Sequence, residues 1–357
     1  MCLYPKIIRN PRYRISNNNY ICDRVAKDER LEYIELPCGF CIECRRKKAR
    51  EWNIRLKEEL QYCKAQMVTL TFSEENLNEL VEEFGEECNG VAYRALRRFC
   101  ERYRKIYKVG LRHFVVTELG HTGTQRIHMH GILFYDKNSN IKPLTKEELS
   151  KLWKYGFVHI GDYCNEKSIN YIIKYILKQD SDHPGYQQKI YSSKNIGYRE
   201  NSEISRRCKW RGKETIDTII DKKSGRKIIL PMYYKRKLWT DEQREDYRLW
   251  KLDENVIYLG GNVYNKDEIS QEEIKNITLN LRSVSDALGY IQYEKKPYNV
   301  RNIHTKEERE KLDQINEKIR EKNHEIFVKN YQNYVKNSIE KYLANKKLEI
   351  TNCKLTC

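Results

Sequence analysis

The sequence predicts an α+β fold: a central antiparallel sheet with helices on one side and one further helix laid across the face that carries two histidines. Three observations carry that prediction. Met67-Val68-Thr69-Leu70-Thr71-Phe72 alternates β-branched and apolar residues as a central strand does. Two β-rich runs, Leu111 to Glu118 and Arg126 to Phe134, flank the turn segment Gly120-His121-Thr122-Gly123-Thr124 and make a hairpin. Downstream, Ile169, Ile172, Ile173, Ile176 and Leu177 fall at helical spacing and form one apolar stripe.

The remaining elements follow in order. Cys38-x-x-Cys41-x-x-Cys44 leads into a strongly basic helix that starts at Arg45, Arg46, Lys47 and Lys48. Ser73 is placed to cap an acidic helix over residues 74–87. Residues 91–107 read as a basic helix with Leu96, Phe99, Tyr103 and Ile106 facing inward. Thr145-Lys146-Glu147-Glu148 is a capping box opening a helix that runs to Trp153, and residues 157–161 form a further strand. Residues 181–201, rich in Ser, Asn, Gly and Gln, read as a long loop. Residues 216–220 and 227–230 flank Lys223-Ser224-Gly225 as a second hairpin, and Thr240 to Gln243 is another capping box. Residues 266–348 read as charged helix, with an αα-hairpin on either side of Pro297. The order strand, helix, hairpin, helix, strand, helix fits a ferredoxin-like split β-α-β plan. Three regions result: a cysteine-rich basic segment over 1–62, a catalytic domain over 63–240 and a charged helical region over 241–357.

The chain has 357 residues and a formal charge of +17, which favours a polyanionic partner, most simply nucleic acid. It opens without an apolar signal stretch and contains no run long enough for a membrane helix, so an intracellular protein without a membrane partner is expected. Its 12 cysteines are then thiols or metal ligands rather than a disulfide framework. No Gly-x-x-x-x-Gly-Lys-Ser/Thr occurs, which excludes a recognisable nucleotide-driven motor.

The hairpin carries the chemistry. His128 and His130 point the same way from one strand, so two imidazoles one pleat apart can share an ion. If the turn is centred on Gly123, Glu118 pairs with His128 and Val116 with His130, and Glu118 reaches the same ion. His121 is the alternative third ligand. Two histidines and a carboxylate leave coordination positions open for water or phosphate oxygens. On the helix, Tyr171, Lys174, Tyr175 and Lys178 line a second stripe: two phenols one turn apart, each followed three residues later by a lysine. Cys38, Cys41 and Cys44 suit tetrahedral zinc, which needs a fourth ligand.

Together these motifs resemble the HUH endonuclease superfamily, in its two-tyrosine branch of rolling-circle replication initiators, and most of all the replication initiation proteins of gokushoviruses, phages of the Microviridae. The resemblance rests on Pro37 to Cys44, Met67 to Phe72, Thr117-Glu118-Leu119-Gly120, Arg126-Ile127-His128-Met129-His130, the tyrosine helix and Pro231-Met232-Tyr233-Tyr234-Lys235-Arg236-Lys237-Leu238, and it ends near residue 240. Two departures occur: Leu119 stands where the family usually has Tyr, and Ile127 where it usually has Pro. A Gly-Ile-Gly-like patch of similar proteins corresponds to Ile196-Gly197-Tyr198.

The resemblance implies a metal-dependent nickase acting on single-stranded DNA at a replication origin, with Mg²⁺ or Mn²⁺ on Glu118, His128 and His130. Tyr171 and Tyr175 would be the nucleophiles, forming a 5′-phosphotyrosyl bond and leaving a 3′-OH, with Lys174 or Lys178 stabilising the phenolate or the transition state. Similar phage proteins begin with an early cysteine, which makes Cys2 the preferred fourth zinc ligand and Cys22 the alternative. The basic helix from Arg45 to Lys48 can lie along phosphates, and Arg206, Arg207, Lys209 and Arg211 around Trp210 suit single-stranded DNA with base stacking. Host helicase and polymerase are the implied partners and the bacterial cytoplasm the implied location. The competing expectations are a transposase or plasmid relaxase of the same superfamily, and a non-catalytic zinc-stabilised nucleic-acid-binding protein.

Overall fold

The computed structural model describes residues 2–13, 28–121, 125–161, 164–178, 180, 182–183, 185–221, 225–290 and 336. The expected turn at Gly123, the alternative ligand Cys22, the turn at Lys223-Ser224 and the tail beyond residue 290, with Pro297, lie outside the described residues.

A two-stranded ribbon, β1 (Lys6–Arg9) with β2 (Tyr33–Leu36), precedes helix α1 (Ile42–Tyr62). Next come β3 (Cys63–Leu70), α2 (Glu74–Phe84), α3 (Cys88–Tyr107), β4 (Arg112–Leu119), β5 (Ile127–Asp136), α4 (Lys146–Trp153), β6 (Val158–Ile160), α5 (Glu166–Leu177) and β7 (Ile190–Ser192). The chain continues through α6 (Glu203–Arg207), the hairpin β8 (Thr218–Ile220) and β9 (Lys227–Ile229), α7 (Met232–Leu238) and α8 (Asp241–Asp253). A second hairpin, β10 (Val256–Leu259) with β11 (Asn262–Asn265), leads to α9 (Gln271–Ala287).

Five strands form one antiparallel sheet in the order β6-β3-β5-β4-β7. β5 lies between β3 and β4, which are joined through α2 and α3; β3 lies between β5 and β6, which are joined through α4. Each β-α-β unit is thus split by a strand of the other. Alternation along the strands divides the core into two layers. Val68, Leu70, Val115, Met129 and Leu133 pack with α2, α3 and α4 on one face. Phe114, Val116, Ile132 and Phe134 pack with Ala49 and Leu56 of α1 and the isoleucines of α5 on the other. Gly131 allows the central pair to close, because a Cβ there would lie 2.8 Å from Val115 Cγ2 and 2.9 Å from the Phe114 carbonyl oxygen.

The local start signals hold: Ser73, Thr145 and Thr240 each accept from the backbone N–H three residues on. Three expectations are corrected. The tyrosine helix does not cover its face alone, because α1 lies alongside α5 on the same layer. Ile106 is 63% exposed rather than inward, since α3 has turned it away from the sheet by its last turn. Residues 190–192 are not loop but the edge strand β7, paired to β4 at Phe114, Val115 and Val116; a polar three-residue edge strand has no apolar alternation to mark it. Within the tail, the described part holds the single helix α9.

One buried carboxylate ties the layers. Glu59 of α1 is 1% exposed and accepts from Arg112 Nε and Nη2 of β4 at 2.7 and 2.8 Å, and from the Gly197 N–H at 2.7 Å. Gly197 has φ of +74° and sits so close to α1 that a Cβ would lie 2.4 Å from the Arg55 carbonyl oxygen, so only glycine fits. Burial alone would raise the Glu59 pKa, but the Arg112 and Gly197 hydrogen bonds outweigh it and hold it below 4.5. A depressed folded value means stability that is present above pH 4.5 and lost as pH falls through the folded value. Glu59→Gln should therefore cost about 3 kcal/mol at neutral pH. Urea unfolding of this variant at pH 7 and pH 4 should show a smaller loss of stability on acidification than the unsubstituted protein.

Candidate active site

The β4–β5 register places Glu118 opposite His128 and Val116 opposite His130, as the hairpin argument requires. All three functional side chains project from the α1–α5 face. His128 Nε2 and His130 Nε2 lie 3.1 and 3.0 Å from the same oxygen, Glu118 Oε2. The far side of each ring is held: His128 Nδ1–H donates to the Arg126 carbonyl at 3.3 Å, and His130 Nδ1 is 3.1 Å from the Thr69 hydroxyl. Because a carbonyl can only accept, Nε2 is the lone-pair end of His128, and it is aimed at the carboxylate. Lone-pair atoms converging at this distance repel unless a proton or a cation lies among them, so the donor set fits a divalent ion. Thr69 has no sequence signal of its own; its role depends on β3 pairing with β5, where it falls opposite His130.

The other Glu118 oxygen faces Lys178, whose Nζ donates to Oε1 at 2.5 Å. Burial of Glu118, 5% exposed, would raise its pKa, but hydrogen bonds from His128, His130 and Lys178 hold it far below the usual carboxylate range. It remains an anion at every pH at which the protein is folded. Lys178 Nζ also lies 2.8 Å from His121 Nε2.

Helix α5 brings both tyrosines over this cluster. Asn165 caps its first turn, Ile169, Ile172, Ile173 and Ile176 are buried against the sheet, and Tyr171 and Tyr175 remain on the outer stripe. The Tyr175 ring stacks on His130 with centroids 4.2 Å apart and planes 15° off parallel. The two phenol oxygens are 2.8 Å apart and share a hydrogen bond. Tyr171 is 45% exposed; Tyr175 is half-buried. Burial, the Tyr171 hydrogen bond and the negative Glu118 all push the Tyr175 phenol above its ordinary value. Lys174 is exposed on the same helix.

At the N-terminus, Cys2, Cys38, Cys41 and Cys44 offer sulfurs that all lie within 4.8 Å of one another. Cys38 and Cys44 Sγ are 3.8 Å apart. Tetrahedral zinc with Zn–S bonds near 2.3 Å sets sulfurs about 3.8 Å apart, so the cluster fits that ion. Helix α9 packs on this cluster: Ser285 Oγ accepts from the Ile42 N–H at 3.2 Å, and Arg282 Nε donates to the Leu3 carbonyl at 2.8 Å.

The basic residues divide. Arg46, Lys47 and Lys48 are exposed on α1, but Arg45 turns inward and donates to the Ile176 carbonyl at the end of α5. Arg206, Arg207, Lys209 and Arg211 are exposed, while Trp210 packs edge-on against Trp239 at 5.4 Å. Arg46 and Arg207, far apart in sequence, line one groove of about 580 Å³ whose walls also include Arg50, Lys57, Ile173 and Ile219. Among the described residues no helix is long and apolar enough to cross a membrane.

A family model of replication-associated proteins of the ORF2 type matches residues 65–180. That span begins in β3 and ends just past Lys178, so it contains Glu118, His128, His130, Tyr171 and Tyr175. The chain is also 26% identical over 276 residues to "Replication-associated protein ORF2" of Spiroplasma virus 4, an alignment covering 69% of this chain and 83% of the relative. No solved structure matches. The part of the chain that builds the site is therefore similar to the ORF2-type replication-associated proteins.

Proposed function

We propose that this chain is a phage replication initiator of the two-tyrosine HUH type, related to those of gokushoviruses, which nicks and rejoins single-stranded origin DNA to begin and end rolling-circle replication. One observation carries the reading: Glu118 Oε2, His128 Nε2 and His130 Nε2 converge beside a tyrosine ring that stacks on one of those histidines and is hydrogen-bonded to a second tyrosine. The similarity to viral replication-associated proteins supports the biological setting. A non-catalytic zinc protein that binds nucleic acid has no use for that arrangement.

Glu118, His128 and His130 would hold Mg²⁺ or Mn²⁺, which supplies Lewis-acid polarisation of the scissile phosphate. Tyr171 or Tyr175 attacks phosphorus; the new P–O bond joins the phenol oxygen to the 5′ side, and the bond to the 3′ oxygen breaks. The phenol proton leaves, and the departing oxygen takes up a proton to become a 3′-OH. A raised Tyr175 value makes the phenolate hard to form, so nearby positive charge is needed to bring it out. Lys178, against Glu118, is better placed for this than the exposed Lys174. Host polymerase, with a host helicase opening the duplex in the bacterial cytoplasm, would extend the 3′-OH. Because the phosphotyrosyl bond conserves the phosphoester, rejoining requires no nucleotide. With one tyrosine esterified, its neighbour at i+4 is free to cut the regenerated origin. The groove between Arg46 and Arg207, basic at its rim and apolar at Ile173 and Ile219, suits a single strand leaving the site.

Nicking of single-stranded oligonucleotides tiled across the genome that encodes the chain tests the reading. His128→Ala and His130→Ala should each slow nicking in Mg²⁺ or Mn²⁺ by about 10³-fold. DNA affinity should stay within about threefold, because phosphate contacts by Lys and Arg carry binding. Undiminished nicking by the double alanine variant would refute the site. Tyr171→Phe and Tyr175→Phe should each retain a single cut but lose repeated strand transfer. The N-terminal cluster should hold one zinc per chain by elemental analysis, and Cys44→Ser should lose it together with thermal stability, while zinc-free protein of unchanged stability would return the four cysteines to free thiols.

A further inference from the structure

A second polar cluster lies behind the first. His121, at the end of the β4–β5 hairpin, meets Asp180, Asp182 and His183 from the segment after α5. His121 Nδ1 is 2.7 Å from Asp182 Oδ2 and 3.8 Å from Asp180 Oδ1. His183 Nδ1 is 2.9 Å from both Asp180 oxygens, and its backbone N–H also donates to Asp180 Oδ1. His183 Nε2 is 3.4 Å from Gln125 Oε1. One ligand atom each from His121, Asp180 and His183 falls within 4.8 Å of the others. The side chains of Asp180, Asp182 and His183 are 3%, 4% and 7% exposed.

Two carboxylates buried side by side are costly unless positive charge lies among them. The nearest lysine, Lys178, sits on the far side of the His121 ring and is engaged with Glu118. From this geometry we infer that His121, Asp180 and His183, with Asp182 as fourth donor, form a second divalent-metal site, separate from Glu118, His128 and His130. Two imidazole nitrogens and two carboxylate oxygens select borderline transition ions such as Mn²⁺ or Zn²⁺ over Ca²⁺ and Mg²⁺. The site closes the segment that leaves the tyrosine helix onto the hairpin that carries Glu118, so it fixes the end of α5 against the sheet. It also has a consequence that rests on the proposed role of Glu118. Metal on His121 Nδ1 puts the ring proton on Nε2, which then donates toward Glu118 Oε1, 3.5 Å away, and no longer accepts from Lys178. Occupancy would thereby release the Lys178 ammonium from one of its two acceptors.

Mn²⁺ is the probe, because it is visible by electron paramagnetic resonance and does not seek the thiolates of the cysteine cluster. Full-length protein, dialysed free of other divalent ions, is titrated and bound Mn²⁺ counted. Wild type should bind one more Mn²⁺ per chain than His183→Ala, and one more than Asp180→Asn. The near-isosteric Asp180→Asn decides the matter if His183→Ala does not fold. A His128→Ala, His130→Ala double variant should keep the ion that His183→Ala loses. Equal stoichiometry in wild type and Asp180→Asn overturns the second site. Loss of nothing in the His128/His130 variant would instead count against the Glu118 site and leave this one standing, so the two failures are distinguishable.

Discussion

Everything at the centre of this molecule depends on the register between β4 and β5. A strand slipped by one residue turns every side chain to the other face. With Glu118 opposite His128 and Val116 opposite His130, carboxylate and imidazoles share the α1–α5 layer, and Ile127, Met129 and Leu133 fill the opposite core. Two apolar layers lock that register, since a slip would bury Glu118, His128 and His130 against α3 and expose Met129 and Leu133. Gly131, midway between the histidine pair and Ile132, lets Val115 close down on the joint. The price of the arrangement is a buried carboxylate, and Lys178 from the tyrosine helix offsets it.

The helix that supplies Lys178 is itself held at both ends. Asn165 caps its first turn, and Asn53 of α1 donates to Asn170 at 2.7 Å. Its last carbonyls, which have no partner within the helix, accept from Arg45 at Ile176 and from the Tyr290 hydroxyl at Leu177. Arg45 follows Cys44 directly, so the cysteine cluster fixes the start of α1 and, through it, the end of α5. A metal in that cluster would act on the tyrosines by geometry rather than by chemistry. This also explains why a basic run at residues 45–48 does not present one uniform surface: the first arginine faces a helix C-terminus, where positive charge is favoured, and the next three face solvent.

How far the sequence can be read follows from the range of each interaction. The hairpin register, the helix caps and the two stripes of α5 are local, decided within about ten residues, and all are legible. Strand β7 is not, because Ile190–Ser192 owes its conformation to β4, some seventy residues upstream, rather than to its own pattern. Trp210 reads as a stacking platform from its basic neighbours, whereas its partner Trp239 is visible only once α7 has folded back. Asp180, Asp182 and His183 carry no motif spacing; it is the return of the chain past Lys178 that sets them against His121. Thr69 and Glu59 likewise acquire meaning only through pairing across the sheet.

The central claim is that the Glu118–His128–His130 cluster and the Tyr171–Tyr175 pair form one reacting centre. The most direct measurement is to let the protein react with single-stranded DNA in Mn²⁺, digest the covalent product, and sequence the nucleotide-bearing peptides by mass spectrometry. The account predicts adducts on Tyr171 and Tyr175 and on no other of the 27 tyrosines, through a 5′-phosphate, and none when His128 and His130 are alanine. Adducts at a tyrosine outside α5, or adducts on α5 that survive loss of both histidines, would contradict it.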